Sequence, residues 1–301
     1  MEFNNYLFHC SSLGSIMTEP RGKSNLEKYK EAQDKFNSWK EKFEKVKLEL
    51  DTFKNKETKT YQNKAQTMGN YEDKMWLAHE TMTTLEYIKD AKPLSDTCKK
   101  YLMNLFVQAK YGRVKDIKLK YWDKGNMLEE DAFTIYSRLI KEYVEKNTVT
   151  KSNPYVVGTI DFPARDKVII HDTKVSWDIY TFWSSLANGL EDDYYWQAQG
   201  YMWLWELDEA KVIKMLLDTP DKLIEAEKKS LLRDFIGSEF QYQEACAELD
   251  KLHKYDDIPV EERIIEFKVE RSDEDIARIP ERVEMCRAWL NSIKPGTYFT
   301  I

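Results

Sequence analysis

From Tyr29 onward the apolar positions read Tyr29, Ala32, Phe36, Trp39, Phe43, Val46, Leu50 and Phe53, alternating steps of three and four without a break. Residues at that spacing fall on one narrow stripe of an α-helix, the seam of a coiled coil. After the polar break KNKETKTYQNK the same spacing recurs at Met68, Tyr71, Met75, Ala78, Met82 and Leu85. Each seam needs an apolar partner and the nearest is the other, which predicts an antiparallel helical hairpin over roughly residues 24–90. Pro93 ends it, and Ser95 can cap the next helix.

Beyond the hairpin the period changes. MLEEDAFTIYSRLIKEYVEK reads as an amphipathic helix with Met127 or Leu128, Ile135, Leu139 and Val144 inward. YVVGTIDF and KVIIHDTKV are short β-branched runs separated by PARD, the pattern of a β-hairpin or meander. Residues 192–205 are helical, AKVIKMLLDTP is a buried strand, 221–254 is helical, RIIEFKVER is a strand, and 273–293 closes with a helix. Strands interspersed with helices give an α/β core near 96–301 that carries the hairpin as an insertion.

Composition excludes several classes. Aromatic residues make up 13% of the chain, with 9 Trp and 18 Tyr, too many large apolar groups for a disordered protein. No apolar run reaches the length of a membrane helix, and MEFNNYLFHC lacks the layout of a signal peptide, so a cytoplasmic location is expected. Cysteines at 10, 98, 246 and 286 are too scattered for a disulfide framework or a zinc knuckle. The net charge of -7 hides a segregation: residues 21–124 carry +8, and 206–289 carry -9. Lys99, Lys100, Lys110, Arg113, Lys115, Lys118, Lys120 and Lys124 cluster in the basic part, either as a solvated helical face or as a surface for phosphates.

The most informative stretch is GTIDFPARDKVIIHDTKVSWD. Asp161 ends one strand, and Asp172 and Lys174 occupy alternate positions of the next, so both point to one face. Two carboxylates and an ammonium converging there are a poor structural choice unless a divalent cation compensates them, and oxygen ligands favour Mg2+ or Mn2+ over zinc. His171, on the opposite face, reads as a packing residue. Trp177, Trp183, Trp196, Trp203 and Trp205 read as core rather than as platforms for bases.

Taken with its flanks, this arrangement resembles the PD-(D/E)XK nuclease core, with GTID where the superfamily name expects Pro-Asp and DTK supplying the second carboxylate and the lysine. Asp172 stands where Glu is commoner, which shortens one ligand arm. Three further stretches fall in the order of the phage lambda-exonuclease branch, the YqaJ-type viral recombinases. KGNMLEEDA resembles that branch's helix motif of Gly, three residues, Glu, then Ala three later, and puts its metal-approaching carboxylate at Glu129. YYWQAQGYMWL resembles the Gln-x-Gln helix, which maps the active-site glutamine onto Gln197 with Gln199 as its neighbour. FHCSSLGSIMTEPR resembles the segment in which serine and arginine bind a DNA phosphate, pointing to Ser11 or Ser12 and to Arg21. The resemblance covers 95–217 well and the first 20 residues loosely. The scattered cysteines argue against the iron–sulfur nucleases, which need a C-terminal group of three.

The resemblance implies an α/β restriction-endonuclease-like core, a central mixed β-sheet flanked by helices, with an inserted antiparallel coiled-coil hairpin. Residues 1–23 would open the core, 24–92 form the insertion, and 93–301 complete it. It further implies a metal-dependent exonuclease acting on ends of linear duplex DNA, 5'-to-3', leaving 3' single strands for a recombinase or annealing protein of a phage or prophage in a bacterial host. Asp161, Asp172, Glu129 and the Thr173 carbonyl would hold two Mg2+ or Mn2+ ions, Lys174 would orient the attacking water, and Gln197 would hold Lys174 or that water. Ser11, Ser12, Arg21, Lys115, Lys118 and Lys120 would contact phosphates. Ring-forming members of the branch are trimers, so a homo-oligomer is a further expectation. An endonuclease or repair-processing enzyme, and an inactive binding module built on the hairpin, are the competing readings. For Glu129 the competitor is the acidic first turn of a helix, and for Gln197 a buried amide bonding a backbone carbonyl.

Overall fold

The structure, a computed structural model, describes residues 2–87, 89–90, 93–114, 120–143, 145–163, 169–235 and 238–294. Strand β1 (Phe8–His9) passes through a 3₁₀ turn into the short helix α1 (Leu13–Met17), followed by the long helices α2 (Asn25–Asp51) and α3 (Lys59–Glu86). Then come α4 (Asp96–Tyr111), α5 (Lys120–Ile140), and strands β2 (Lys151–Ser152), β3 (Val156–Gly158), β4 (Phe162–Pro163) and β5 (Ile169–Val175). Helices α6 (Ile179–Asn188) and α7 (Asp192–Trp205) lead into β6 (Glu209–Met215), α8 (Asp221–Leu231), α9 (Glu239–His253), β7 (Ile264–Glu270) and α10 (Asp273–Ser292). Among the described residues no helix is long and apolar enough to cross a membrane.

The chain divides into two compact units, one made of Met1–Thr18 with Thr97–Ile301 and the other of Glu19–Asp96. In the second unit α2 and α3 run antiparallel, with Trp39 facing Tyr71, Phe36 facing His79 and Phe53 facing Tyr61 at centroid distances of 5.5–5.8 Å. Every residue of the two sequence stripes is buried or half-buried. Ser24 opens α2 with a reciprocal capping box to Glu27, and Thr58 caps α3 by accepting from the Tyr61 N–H.

The first unit is built on a mixed four-stranded sheet in the order β4-β5-β6-β7, in which β5 and β6 are parallel and the outer pairs antiparallel. A three-stranded sheet, β1-β3-β2, ties the N-terminus to the middle of the chain. α5 covers the first sheet with Leu128, Ala132, Phe133 and Tyr136, which pack on Phe162, Ile213, Met215 and Leu217. Of the stripe expected, Leu128 is buried in this core and Ile135 packs against it, whereas Met127 is exposed, Leu139 is half-buried and Val144 lies outside the described residues. Ala132 and Tyr136 continue the stripe from Leu128 in steps of four, and Phe133 flanks it. The PARD turn extends beyond the described residues after Pro163. Helix α6 was not expected; Asp178 opens it with a capping box to Thr181.

Candidate active site

Asp161 precedes β4, and the pairing of Phe162 with His171 brings it beside the middle of β5. Its Oδ2 accepts from the Thr173 N–H at 2.9 Å and from the Thr173 hydroxyl at 3.2 Å. One residue on, the Lys174 ammonium lies 2.9 Å from the carboxylate of Asp172, on the face the strand period dictates. His171 points the other way, buried between the rings of Tyr136 and Phe162.

The electrostatics follow from this crowding. Burial, then the neighbouring charge of Asp172, pushes the Asp161 carboxyl up to about 7 against the pull of Lys174 and the Thr173 donors. Burial alone would lower the Lys174 ammonium, but the carboxylates of Asp172 and Asp161 outweigh it and hold the group above its ordinary value. Lys174 is therefore protonated at neutral pH.

These groups open into a cleft of about 430 Å³ walled by Asp161, Thr173 and Lys174 of the strand pair, Trp122, Asn126 and Glu129 of α5, Asp193, Tyr194 and Gln197 of α7, and Ser11. A Cβ on Gly14 would collide with the backbone of Asp193, so glycine is what lets α1 and α7 approach closely enough to put Ser11 and Asp193 on one wall.

Several expected residues meet here and others do not. Glu129 reaches the cleft, but its carboxylate pairs with Lys146 at 3.0 Å. Gln197 also reaches it, and instead of holding Lys174 its amide donates to the Tyr201 hydroxyl at 2.9 Å. Gln199 is turned away, bonded to the Glu270 carbonyl and the Ser272 N–H. Of the two serines, Ser11 lines the cleft while Ser12 is buried and donates to the His9 carbonyl. Arg21 is exposed and belongs to the other compact unit. Lys115 and Lys118 lie outside the described residues, as does the side chain of Lys120.

Lys124 is a correction: instead of joining a basic surface it is fully buried, held by the Trp177 carbonyl. None of the five tryptophans first considered lines the cleft; Trp122, which does, was missed. Its signal was its place three and seven residues before Gly125 and Glu129, on the same helical face.

Among the described residues no group of three His, Cys, Asp or Glu side chains converges tightly enough to hold a metal ion. Asp161 and Asp172 nonetheless fit a hard divalent cation, since burial and the charge of Asp172 oppose ionisation of Asp161 and a cation held by carboxylate oxygens would relieve that cost.

No family model and no curated protein sequence matches the chain. Among solved structures, the phage-related exonuclease from Haemophilus somnus 129PT aligns over 95% of this chain and 94% of its own, with a TM-score of 0.60 and 24% identity. The alkaline exonuclease from Laribacter hongkongensis aligns over 65% of this chain and 81% of its own, at 16% identity and a TM-score of 0.45. The chain thus has the fold of the phage-related exonuclease, a mixed α/β architecture.

Proposed function

We propose that the protein is a metal-dependent DNA exonuclease of the PD-(D/E)XK type. The observation that carries this reading is the Asp161–Thr173 and Asp172–Lys174 pairing, with Asp161, Thr173 and Lys174 lining a polar cleft and Asp172 buried behind Lys174. The fold shared with a phage-related exonuclease supports the same reaction class.

Asp161, Asp172, Glu129 and the Thr173 carbonyl are the groups that would hold Mg2+ or Mn2+. Bound there, the metal would neutralise charge on the phosphate and acidify a water. Lys174 supplies a fixed positive charge 2.9 Å from Asp172, placed to orient the attacking water and to stabilise negative charge on phosphorus. Glu129 must leave Lys146 to take part, and Gln197 acts with Tyr201 as one hydrogen-bonded wall. Ser11, beside Asp193 on the cleft wall, would donate to a substrate phosphate. The substrate is the end of a linear duplex, digested 5'-to-3' to leave a 3' single strand for a phage-type recombination or annealing protein.

Incubation of end-labelled linear, nicked and circular duplexes with Mg2+ tests this. Loss of label from the linear duplex with the circle intact is the expected result. Cutting of the circle would identify an endonuclease, and binding of DNA without cleavage in Mg2+ or Mn2+ would leave a binding module.

A further inference from the structure

Lys174 has a twin. On β6, Lys214 is its direct partner in the parallel ladder, so the two side chains leave the sheet on the same face at neighbouring positions. Two ammoniums placed this way repel, and Lys214 is nearly fully buried, with 7% of its side chain exposed. A buried charge beside a like charge is costly, and an apolar residue would fill β6 at less expense.

The surroundings explain why the position is nonetheless cationic. The ring of Tyr194 is shared by the two lysines, with the Lys174 and Lys214 ammoniums 5.4 and 5.3 Å from its centroid. Lys174 turns to Asp172, and Lys214 turns to Glu191, the residue that opens α7. Without Lys214 the Glu191 carboxylate would lose its ammonium partner beside the Tyr194 ring, a ring that the Lys174 ammonium also reaches. The site would then hold three carboxylates competing for one lysine.

We propose that Lys214 is a positioning residue for the cleavage step: by occupying Glu191 it keeps the Lys174 ammonium on Asp172. This rests on the nuclease reading above, because Lys174 matters only if its charge faces the reacting phosphate. Lys214 touches neither the cleft nor the substrate and acts through Glu191, Tyr194 and Lys174.

The test uses the full-length protein with Lys214→Met, Glu191→Gln and the double variant, each checked for folding by thermal melting. Lys214→Met should lower the single-turnover cleavage rate by about tenfold or more, with affinity for duplex DNA in Ca2+ changed by less than about twofold. Glu191→Gln should cleave close to the wild-type rate. The double variant, which removes the competing charge, should recover to within about threefold of wild type. A purely structural staple predicts the opposite, a double variant as slow as Lys214→Met. Lys214→Gln, which keeps a donor to Glu191 without the charge, replaces Lys214→Met if the latter does not fold.

Wild-type cleavage by the single variant, or no recovery in the double, would overturn the proposal. If the wild type itself cuts no DNA, the nuclease reading falls, and the 15N resonance of the Lys174 ammonium still decides the contact. It should move in Lys214→Met and return in the double variant; a resonance unmoved in Lys214→Met overturns the assignment.

Discussion

The Lys124 side chain donates to the main-chain carbonyl of Trp177 at 2.8 Å, and both residues are buried. Burial pushes the amine down to about 7, against the opposing pull of Asp178 and Asp218. In the unfolded chain the same group titrates near 10.4. Between those values the unfolded state binds one more proton than the native state, so this group's contribution to stability rises with pH from about 7 to about 10. Lys124→Met removes the titration. The variant-minus-wild-type difference in Tm should therefore fall as pH rises, by the order of 5 °C at about 2–4 °C per kcal/mol. Melting curves at pH 6.5 and 9.5 check it; a constant difference would mean that the lysine is not held near neutrality.

Lys174→Ala should lower the cleavage rate by about 10²–10⁴, the range spanned by loss of a group acting directly on the proton transfer. Affinity for duplex DNA in Ca2+ should hold within about threefold, because the lysine balances Asp172 rather than gripping the backbone. Turnover at the wild-type rate would remove Lys174 from the reaction.

Asp161→Asn should separate stability from activity. The native carboxyl sits near 7, above its unfolded value near 3.9, so the stability it contributes is complete below about pH 4 and is lost as pH rises through 7. Asparagine is neutral throughout and ends the repulsion with Asp172. In EDTA at pH 8 the variant should melt above wild type, and at pH 4 the gap should close. With Mg2+ it should cleave nothing. A lower Tm at pH 8 would show that the two carboxylates do not repel in the native protein.

Trp122 is 74% exposed yet lines the cleft, a costly place for an indole unless it meets something flat. Trp122→Ala should weaken binding of frayed or single-stranded ends by about 1–3 kcal/mol, the worth of one stacked base. Tm should not change, since the side chain packs on little. Equal affinity of wild type and variant for a 3'-recessed duplex in Ca2+ would exclude stacking.

What could be read from the sequence was whatever depends on local period. The stripes of the two long helices and the alternation of Asp172 and Lys174 are both short-range patterns, whereas Gln197 and Glu129 came from the family resemblance alone. What escaped depends on chain reversal. The Thr173 bonds to Asp161 need the β4–β5 register, Glu129 meets Lys146 only after α5 ends, and Lys174 neighbours Lys214 across two helices. Lys124 was misread because a lysine among lysines looks solvated, and nothing local says that the first turn of α5 runs beneath Trp177. Trp122 hid for the opposite reason, since a tryptophan next to a helix start looks like core.

The first unit is sewn from both ends of the chain. β1 needs β3 as its partner, Arg287 of α10 bonds the Tyr6 carbonyl, and Asn291 bonds the Phe3 N–H. A ribosome delivers these pieces far apart in time. The α2–α3 pair is complete in its own contacts once residue 86 has emerged, whereas the first eighteen residues wait for β3, then α7, and last for α10. Ser11 takes its place on the cleft wall only when β1 and α1 dock on β3 and α7, so a chain stalled short of α7 carries the lysine and the carboxylates without the assembled site. The order of synthesis thereby makes the strand pair first and closes its cleft only afterwards.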